Sequence, residues 1–175
     1  MATLCLPKSA TSQERPSPDP KLDGLVFRDP FTLKLRVDKD HYYEEHYDKR
    51  IPYVADNDVY FFAGENFGVN LNIKDDDVVG VTYQPDSKKA DVWFSFKQAK
   101  ELPGGIGMML IIQNKLKHRL YMDALMTVPD KKGIYKTSIL PIEAGLSDFD
   151  SWPHPIVQLV VRNIRFSAKT AEKSQ

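Results

Sequence analysis

The chain has 175 residues, 42% of them hydrophobic and 11% aromatic, enough for one domain with its own core without disulfides or a structural metal. Lysine plus arginine equals aspartate plus glutamate at 24 each, so there is no overall basic field to neutralise phosphates, which argues against a nucleic-acid partner. Cys5 is the one cysteine, which excludes an internal disulfide and any zinc site built on a cysteine pair, and no apolar run has the length of a transmembrane segment.

The chain begins with MATLCLPKSATSQ, mildly apolar but too short in its apolar part for a complete signal peptide. SQERPSPDPKLD follows, and Pro16, Pro18 and Pro20 favour an extended, solvated tether over residues 1–21. Cys5 before a polar tether resembles the mature start of bacterial lipoproteins, in which the cysteine carries the lipid. The pattern departs from that family at Leu4, where a small residue is usual, and the apolar signal segment would have to lie upstream of Met1. The resemblance implies an exported, periplasmic or secreted protein held by its N-terminus. The plain alternative is an unstructured terminus with an incidental cysteine on a cytoplasmic protein.

From there the pattern has the period of strands. Residues 25–27 predict a short opening strand, and Arg28-Asp29-Pro30 a turn. In residues 31–37, Phe31, Leu33, Leu35 and Val37 alternate with Thr32, Lys34 and Arg36, as in a strand with one face on a core. Residues 59–62 are apolar on both faces and predict a central strand. Val69, Leu71 and Ile73 alternate with asparagines, and Val79, Val81 and Tyr83 with Gly80 and Thr82. A five-residue polar loop, Lys74 to Val78, makes these a hairpin with Ile73 opposite Val79, Leu71 opposite Val81 and Val69 opposite Tyr83. Residues 90–97 alternate again, Pro103-Gly104-Gly105 breaks the chain, and residues 106–112 read as a strand buried on both faces. Residues 120–128 and 135–140 predict two more strands. In the last one, residues 156–166, Val157, Leu159 and Val161 share a face while Ile164 and Phe166 have the opposite parity, which predicts a bulge near Arg162-Asn163.

About nine strands with short connections and no helical repeat predict an all-β protein, an antiparallel β-sandwich over residues 22–168 with a polar tail at 169–175. A closed β-barrel is the alternative. The pattern is broadly similar to immunoglobulin-like sandwiches, without the paired cysteines of antibody domains, and such a likeness carries no function.

Candidate chemistry concentrates in DKDHYYEEHYDKR, residues 38–50. His41, Glu45 and His46 are the raw material of a metal site; on a helix His41 and Glu45 would share a face, but His41 and His46 sit five apart, poor for joint ligation, and on a strand they lie on opposite faces. This segment reads as a solvated, tyrosine-rich loop or short helix, and Tyr42, Tyr43 and Tyr47 as a binding surface. The acid sets Asp56 with Asp58, Asp75 to Asp77, and Asp148 with Asp150 match no calcium loop and read as turn chemistry. GENFG at 64–68 and PGGIG at 103–107 run into apolar strands rather than a phosphate-binding helix; the first reads as a tight turn and the second as a strand start or bulge. No nucleophile motif surrounds Cys5, and no residue pattern calls for a cofactor. In FDSWPHP, Trp152 plugs one end of the sandwich or, with His154, forms an exposed stacking platform; burial is the expected outcome for a large aromatic.

These residues favour a non-catalytic interaction module that binds a protein partner. A carbohydrate-binding module using Trp93 and Trp152 is the second expectation. A hydrolytic enzyme using His41 or His46 with Glu44 or Glu45 is the third.

Overall fold

The computed structural model describes residues 24–102 and 105–168. The expected tether, with Cys5, and the expected tail lie outside the described residues, as do Pro103 and Gly104 of the glycine-rich break. The described residues form twelve strands and no helix, so none contains a helix long and apolar enough to cross a membrane. In chain order the strands are β1 (Phe31–Arg36), β2 (Tyr42–Tyr47), β3 (Val54–Ala55), β4 (Asp58–Phe61), β5 (Glu65–Lys74), β6 (Asp77–Gln84), β7 (Val92–Leu102), β8 (Gly105–Asn114), β9 (Tyr121–Thr127), β10 (Tyr135–Ser138), β11 (Ser147–Trp152) and β12 (Gln158–Arg165).

Two five-stranded antiparallel sheets, ordered β10-β9-β12-β4-β3 and β11-β8-β7-β5-β6, pack as a β-sandwich, and β1 and β2 form a separate hairpin. The strand order establishes the sandwich without establishing an immunoglobulin-like connectivity. One buried cluster joins the sheets. Phe61 of β4 stacks on Phe67 of β5 with ring centres 4.8 Å apart and tilts against Phe94 of β7 at 5.0 Å. Adjacent residues of opposite parity serve two cores: Phe61 faces this cluster, and Phe62 faces a second one with Leu33, Leu35 and Val157. That second cluster seats the hairpin. The Gln98 side chain pins it further, accepting from the Arg36 amide at 3.0 Å and donating to the Arg36 carbonyl at 2.7 Å.

The joint between hairpin and sandwich is a buried ion pair. Arg28 is 4% exposed. Its Nε donates to Glu65 Oε1 at 2.5 Å and its Nη2 to Glu65 Oε2 at 2.8 Å. Nη1 donates to the Pro52 carbonyl at 2.7 Å and Nη2 to that of Tyr60 at 2.5 Å. The guanidinium lies over the Tyr53 ring, 4.0 Å from its centre, and Glu65 Oε2 also accepts the Phe62 amide at 2.8 Å.

Several elements differ from the sequence reading for identifiable reasons. Residues 25–27 contribute only an isolated bridge, Phe27 to Pro52. Residues 42–47 form a strand, not a loop or helix, because Tyr43 and Tyr47 alternate onto the apolar face shared with Phe31. The short β3 and the six-residue β11 were not expected from the pattern. The β5–β6 loop is a two-residue turn, with Asp75 and Asp76 at φ of 52° and 63° and Lys74 opposite Asp77. Asp is one of the few non-glycine residues that tolerate this conformation. Leu71–Val81 and Val69–Tyr83 pair as expected, but a register shift sets Ile73 opposite Val78, and both Ile73 and Val79 stay exposed. Within 64–68 only Gly64, at φ +96°, makes the turn. Gly68 lies inside β5, where a β-carbon would come within 2.4 Å of Ala90 Cβ and 2.7 Å of the Val92 carbonyl oxygen. In β8, Met108, Leu110 and Ile112 are fully buried, whereas Met109 and Ile111 on the other face are partly open, so the strand is not buried on both sides. The bulge in β12 is present: Arg162 pairs with Asp123 and Arg165 with Tyr121, one residue more on β12 than on β9.

Arg28→Ala should destabilise the fold by about 3–5 kcal/mol, because the partly buried Glu65 carboxylate and the Pro52 and Tyr60 carbonyls lose their shared donor. The paired change Arg28→Met with Glu65→Leu should recover a large part of that loss, and equilibrium urea unfolding of the three proteins measures it. By the same assay Phe61→Ala should cost about 3–5 kcal/mol, from lost burial plus a cavity between the sheets.

Candidate functional site

The β1–β2 hairpin holds most of the candidate residues, and strand alternation divides them between two faces. Tyr43, Glu45 and Tyr47 share the inner face, opposite Leu35, Leu33 and Phe31. Tyr47 stacks on Phe31 at 5.0 Å and packs against Phe62 at 5.1 Å. Both tyrosine hydroxyls donate to Glu45 Oε2, that of Tyr47 at 3.0 Å. Burial, then the hydrogen bond to Glu45 and its charge, push the Tyr43 hydroxyl up to about 12, and the same causes raise Tyr47 further. These two rings are therefore half-buried packing elements with their polar ends already partnered. Tyr42 lies on the outer face at 55% exposure, with the Lys34 ammonium 5.2 Å from its ring centre.

The weak metal candidates do not converge. His41 sits at the hairpin turn and pairs with Asp38, Nδ1 to Oδ2 at 2.7 Å. His46 points to the outer face, 2.9 Å from Thr32 Oγ1 and 3.0 Å from Asp48 Oδ1. Glu45 is on the opposite face with the tyrosines. Among the described residues no three His, Cys, Asp or Glu side chains are grouped as a metal site would need.

Trp152 is buried. Its Nε1 donates to Thr137 Oγ1 at 2.7 Å and its ring meets Phe96 edge-on at 6.5 Å, which leaves no open face for stacking. Trp93 is half-buried on the outer face, across Gly68, where its ring occupies space a β-carbon would need. His154 is separate from both. It lines an apolar cavity of about 230 Å³ with Met126, Val128, Lys131, Tyr135 and Pro155. The fourth histidine, His118, stacks on Phe166 at 4.6 Å. Asp75 and Asp76 form the β5–β6 turn, and Asp58 faces Arg162 at 3.5 Å.

The sequence reading missed an open apolar surface on β11. In β11, Phe149 pairs with Ile111 and Ser151 with Met109, so these side chains share the outer face of the sheet. Phe149 is 61% exposed, Leu146 just before it is also exposed, and a shallow cleft of about 280 Å³ lies between Phe149, Met109 and Ile111. On the opposite face, Asp148 and Asp150 stand in register with buried Ile112 and Leu110. Burial pushes the Asp150 carboxyl up, against a hydrogen bond from the Leu140 amide that lowers it, and the charge of Asp148 adds to the rise. The signal was present as S-D-F-D-S-W, an alternation in which the acids rather than the apolar residues take the inner parity.

No family of known proteins, no curated protein and no solved structure matches this chain.

Tyr43 makes the hairpin sensitive to alkali. Its folded hydroxyl titrates near 12 rather than the usual 10, so the folded state holds the proton that the unfolded state loses between those values. The resulting stabilisation is complete below pH 10 and disappears as pH rises through about 12. Titration by tyrosinate absorbance should show a late class of tyrosines, reduced by one in Tyr43→Phe, and the wild type should lose stability more steeply than that variant above pH 10.

Proposed function

We propose that this protein is a non-catalytic interaction module that binds an extended segment of a protein partner by adding it as a strand beside β11. The observation that carries this reading is the state of that edge. Four strands border the two main sheets: β3, β10, β6 and β11. β3 has two residues, β10 has four, and the β6 pairing is interrupted by a register shift. Short and irregular edges are how natural sheets prevent unwanted pairing. β11 has neither protection: it pairs with β8 from Ser147 to Trp152 without a shift, and Phe149 stands exposed on it, its amide bonded only to the neighbouring Asp148 carboxylate. A strand laid along it gains main-chain hydrogen bonds, and alternate side chains supply specificity.

The edge also states what the partner carries. Residues opposite Asp148 and Asp150 are best served by lysine or arginine, and the residue opposite Phe149 by a large apolar side chain reaching the Met109–Ile111 cleft. A second copy of this chain is a poor occupant. Antiparallel pairing centred on Phe149 sets Asp148 against Asp150 of the other copy, and pairing centred on Asp150 sets that carboxylate against itself. The hairpin supports the same function less well, since Tyr43 and Tyr47 are committed to packing and Tyr42 alone remains open.

A synthetic peptide alternating lysine with valine should bind, protect the outward amides of β11 from hydrogen exchange, and lose at least about tenfold in affinity to Phe149→Ser. The same peptide with glutamate for lysine should not bind. Equal binding of both peptides, or protection at the β2 edge instead of β11, would reject this site.

A further inference from the structure

The outer face of the other sheet carries a different surface, made by the bulge in β12. Along this strand Leu159 and Val161 are buried, and Val160 and Arg162 alternate away from them. Plain alternation would send Arg165, an odd step from Arg162, to the core side. The extra residue at the bulge, with Asn163 at φ 52°, returns Ile164 to the core and turns Arg165 outward. Two guanidinium groups therefore share one patch within a single turn of distorted strand. Bulges commonly re-aim side chains at functional positions.

Both arginines border a groove of about 570 Å³ that runs between β10, β9 and the bulged end of β12, with Lys136, Asp123 and Tyr121 also on its wall. Arg165 is fixed in place: its Nη1 donates to Asp123 Oδ1 at 3.1 Å and to the Asn163 carbonyl at 2.8 Å. Asn163 Nδ2 holds the other oxygen of Asp123 at 2.9 Å. Arg162 is held more loosely: among the described residues its side chain makes no hydrogen bond, and it pairs with Asp58, 3.5 Å from its Nε. The Nε–H groups of both arginines are shielded from water without an acceptor, so each guanidinium keeps unused donor capacity beside its paired carboxylate. Side-chain exposures of 42% for Arg162 and 21% for Arg165 keep the rest of each fork within reach of a ligand.

We propose that this groove binds a carboxylate-bearing ligand, with Arg165 as a fixed cation and Arg162 and Lys136 as the groups that close on it. Guanidinium forks match a planar carboxylate in two-point geometry. The charge count selects the same class: Lys136, Arg162 and Arg165 against Asp58 and Asp123 leave one net positive charge, which a single carboxylate balances and a phosphate dianion exceeds. A charge ladder that merely keeps an exposed sheet soluble explains the row Asp58, Arg162, Asp123. It does not explain the second arginine brought to the same face by a strained backbone, or the concavity between them.

The test is titration of isotopically labelled protein, following the arginine Nε–H signals. Propionate stands for a free carboxylate and a blocked Gly-Glu-Gly peptide for a carboxylate presented by a protein chain; the tighter of the two identifies the source. Saturable shifts at Arg162, Arg165 and Asn163 are expected, weakened at least about tenfold in Arg162→Gln and in Lys136→Gln. Thermal melts of both variants check that they fold. Propionamide should give no shift and inorganic phosphate a weaker response than propionate. Absence of saturable shifts with either carboxylate, shifts unchanged in both folded variants, or phosphate binding tighter than propionate would each overturn the proposal.

Discussion

The fold depends on one buried guanidinium. Arg28 precedes the β1–β2 hairpin in the chain, and Pro52 follows it, so the two ends of the hairpin meet at the same side chain. From there the guanidinium reaches β4 through the Tyr60 carbonyl and β5 through Glu65. Desolvating an isolated charge costs several kcal/mol even after relaxation, and here the cost is offset only because nearly every donor has a partner and three aromatic rings surround the group. The interaction is thus more demanding than an apolar contact would be. It accepts one arrangement of hairpin, β4 and β5, and a register slip in any of them leaves a charge unpaired. That is how a small two-stranded sheet, marginal by itself, acquires a defined seat on the sandwich.

Once the hairpin is seated, its residues are divided between structure and solvent. The inner face gives Tyr43 and Tyr47 to the second core, with their hydroxyls gathered on Glu45. The outer face gives exposed pairs: Lys34 with Glu44, and His46 with Asp48. Exposed pairs of this kind contribute little to stability and lie on open surface rather than in a concavity. A residue-rich segment can therefore be chemically conspicuous in sequence and yet be spent on packing and solubility. The same holds for the two tryptophans, one in the core and one across a glycine.

What the sequence made legible follows from which signals are local. Strand alternation is local, so β1, β5, β6, β7, β9 and β12 are readable. The parity change in β12 locates its bulge, because the backbone irregularity and the side-chain pattern are the same fact. β2 and β11 were hidden by composition: Y-Y-E-E-H-Y has no apolar period, and S-D-F-D-S-W has its acids on the inner parity. Arg28 was invisible for a different reason. A charged residue beside Asp29-Pro30 reads as a turn, and only the folded chain brings Glu65, 37 residues away, to meet it. The site residues were the least legible of all. Whether Phe149 is exposed or Trp152 buried depends on which strand lies at the sheet edge, a property of strand order that no window of sequence contains.

The filled interior explains why function is sought on the outside. Phe61, Phe67, Phe94 and Phe96 close the space between the sheets, so a sandwich of this kind has its recognition chemistry on edges and outer faces. Its two outer faces are unlike. One ends in an edge strand with Phe149 exposed and its acids inward, which suit the basic partner proposed above, and the other carries arginines gathered by a bulge, which suit the proposed carboxylate. The opposite preferences follow from one geometric rule, the two-residue period of a strand, obeyed in β11 and broken in β12. Obeyed, it sets Asp148 and Asp150 on one side and Phe149 on the other. Broken once, it places Arg162 and Arg165 together. The single inserted residue keeps Ile164 in the core while it does so, which means the same irregularity satisfies the interior and furnishes the surface.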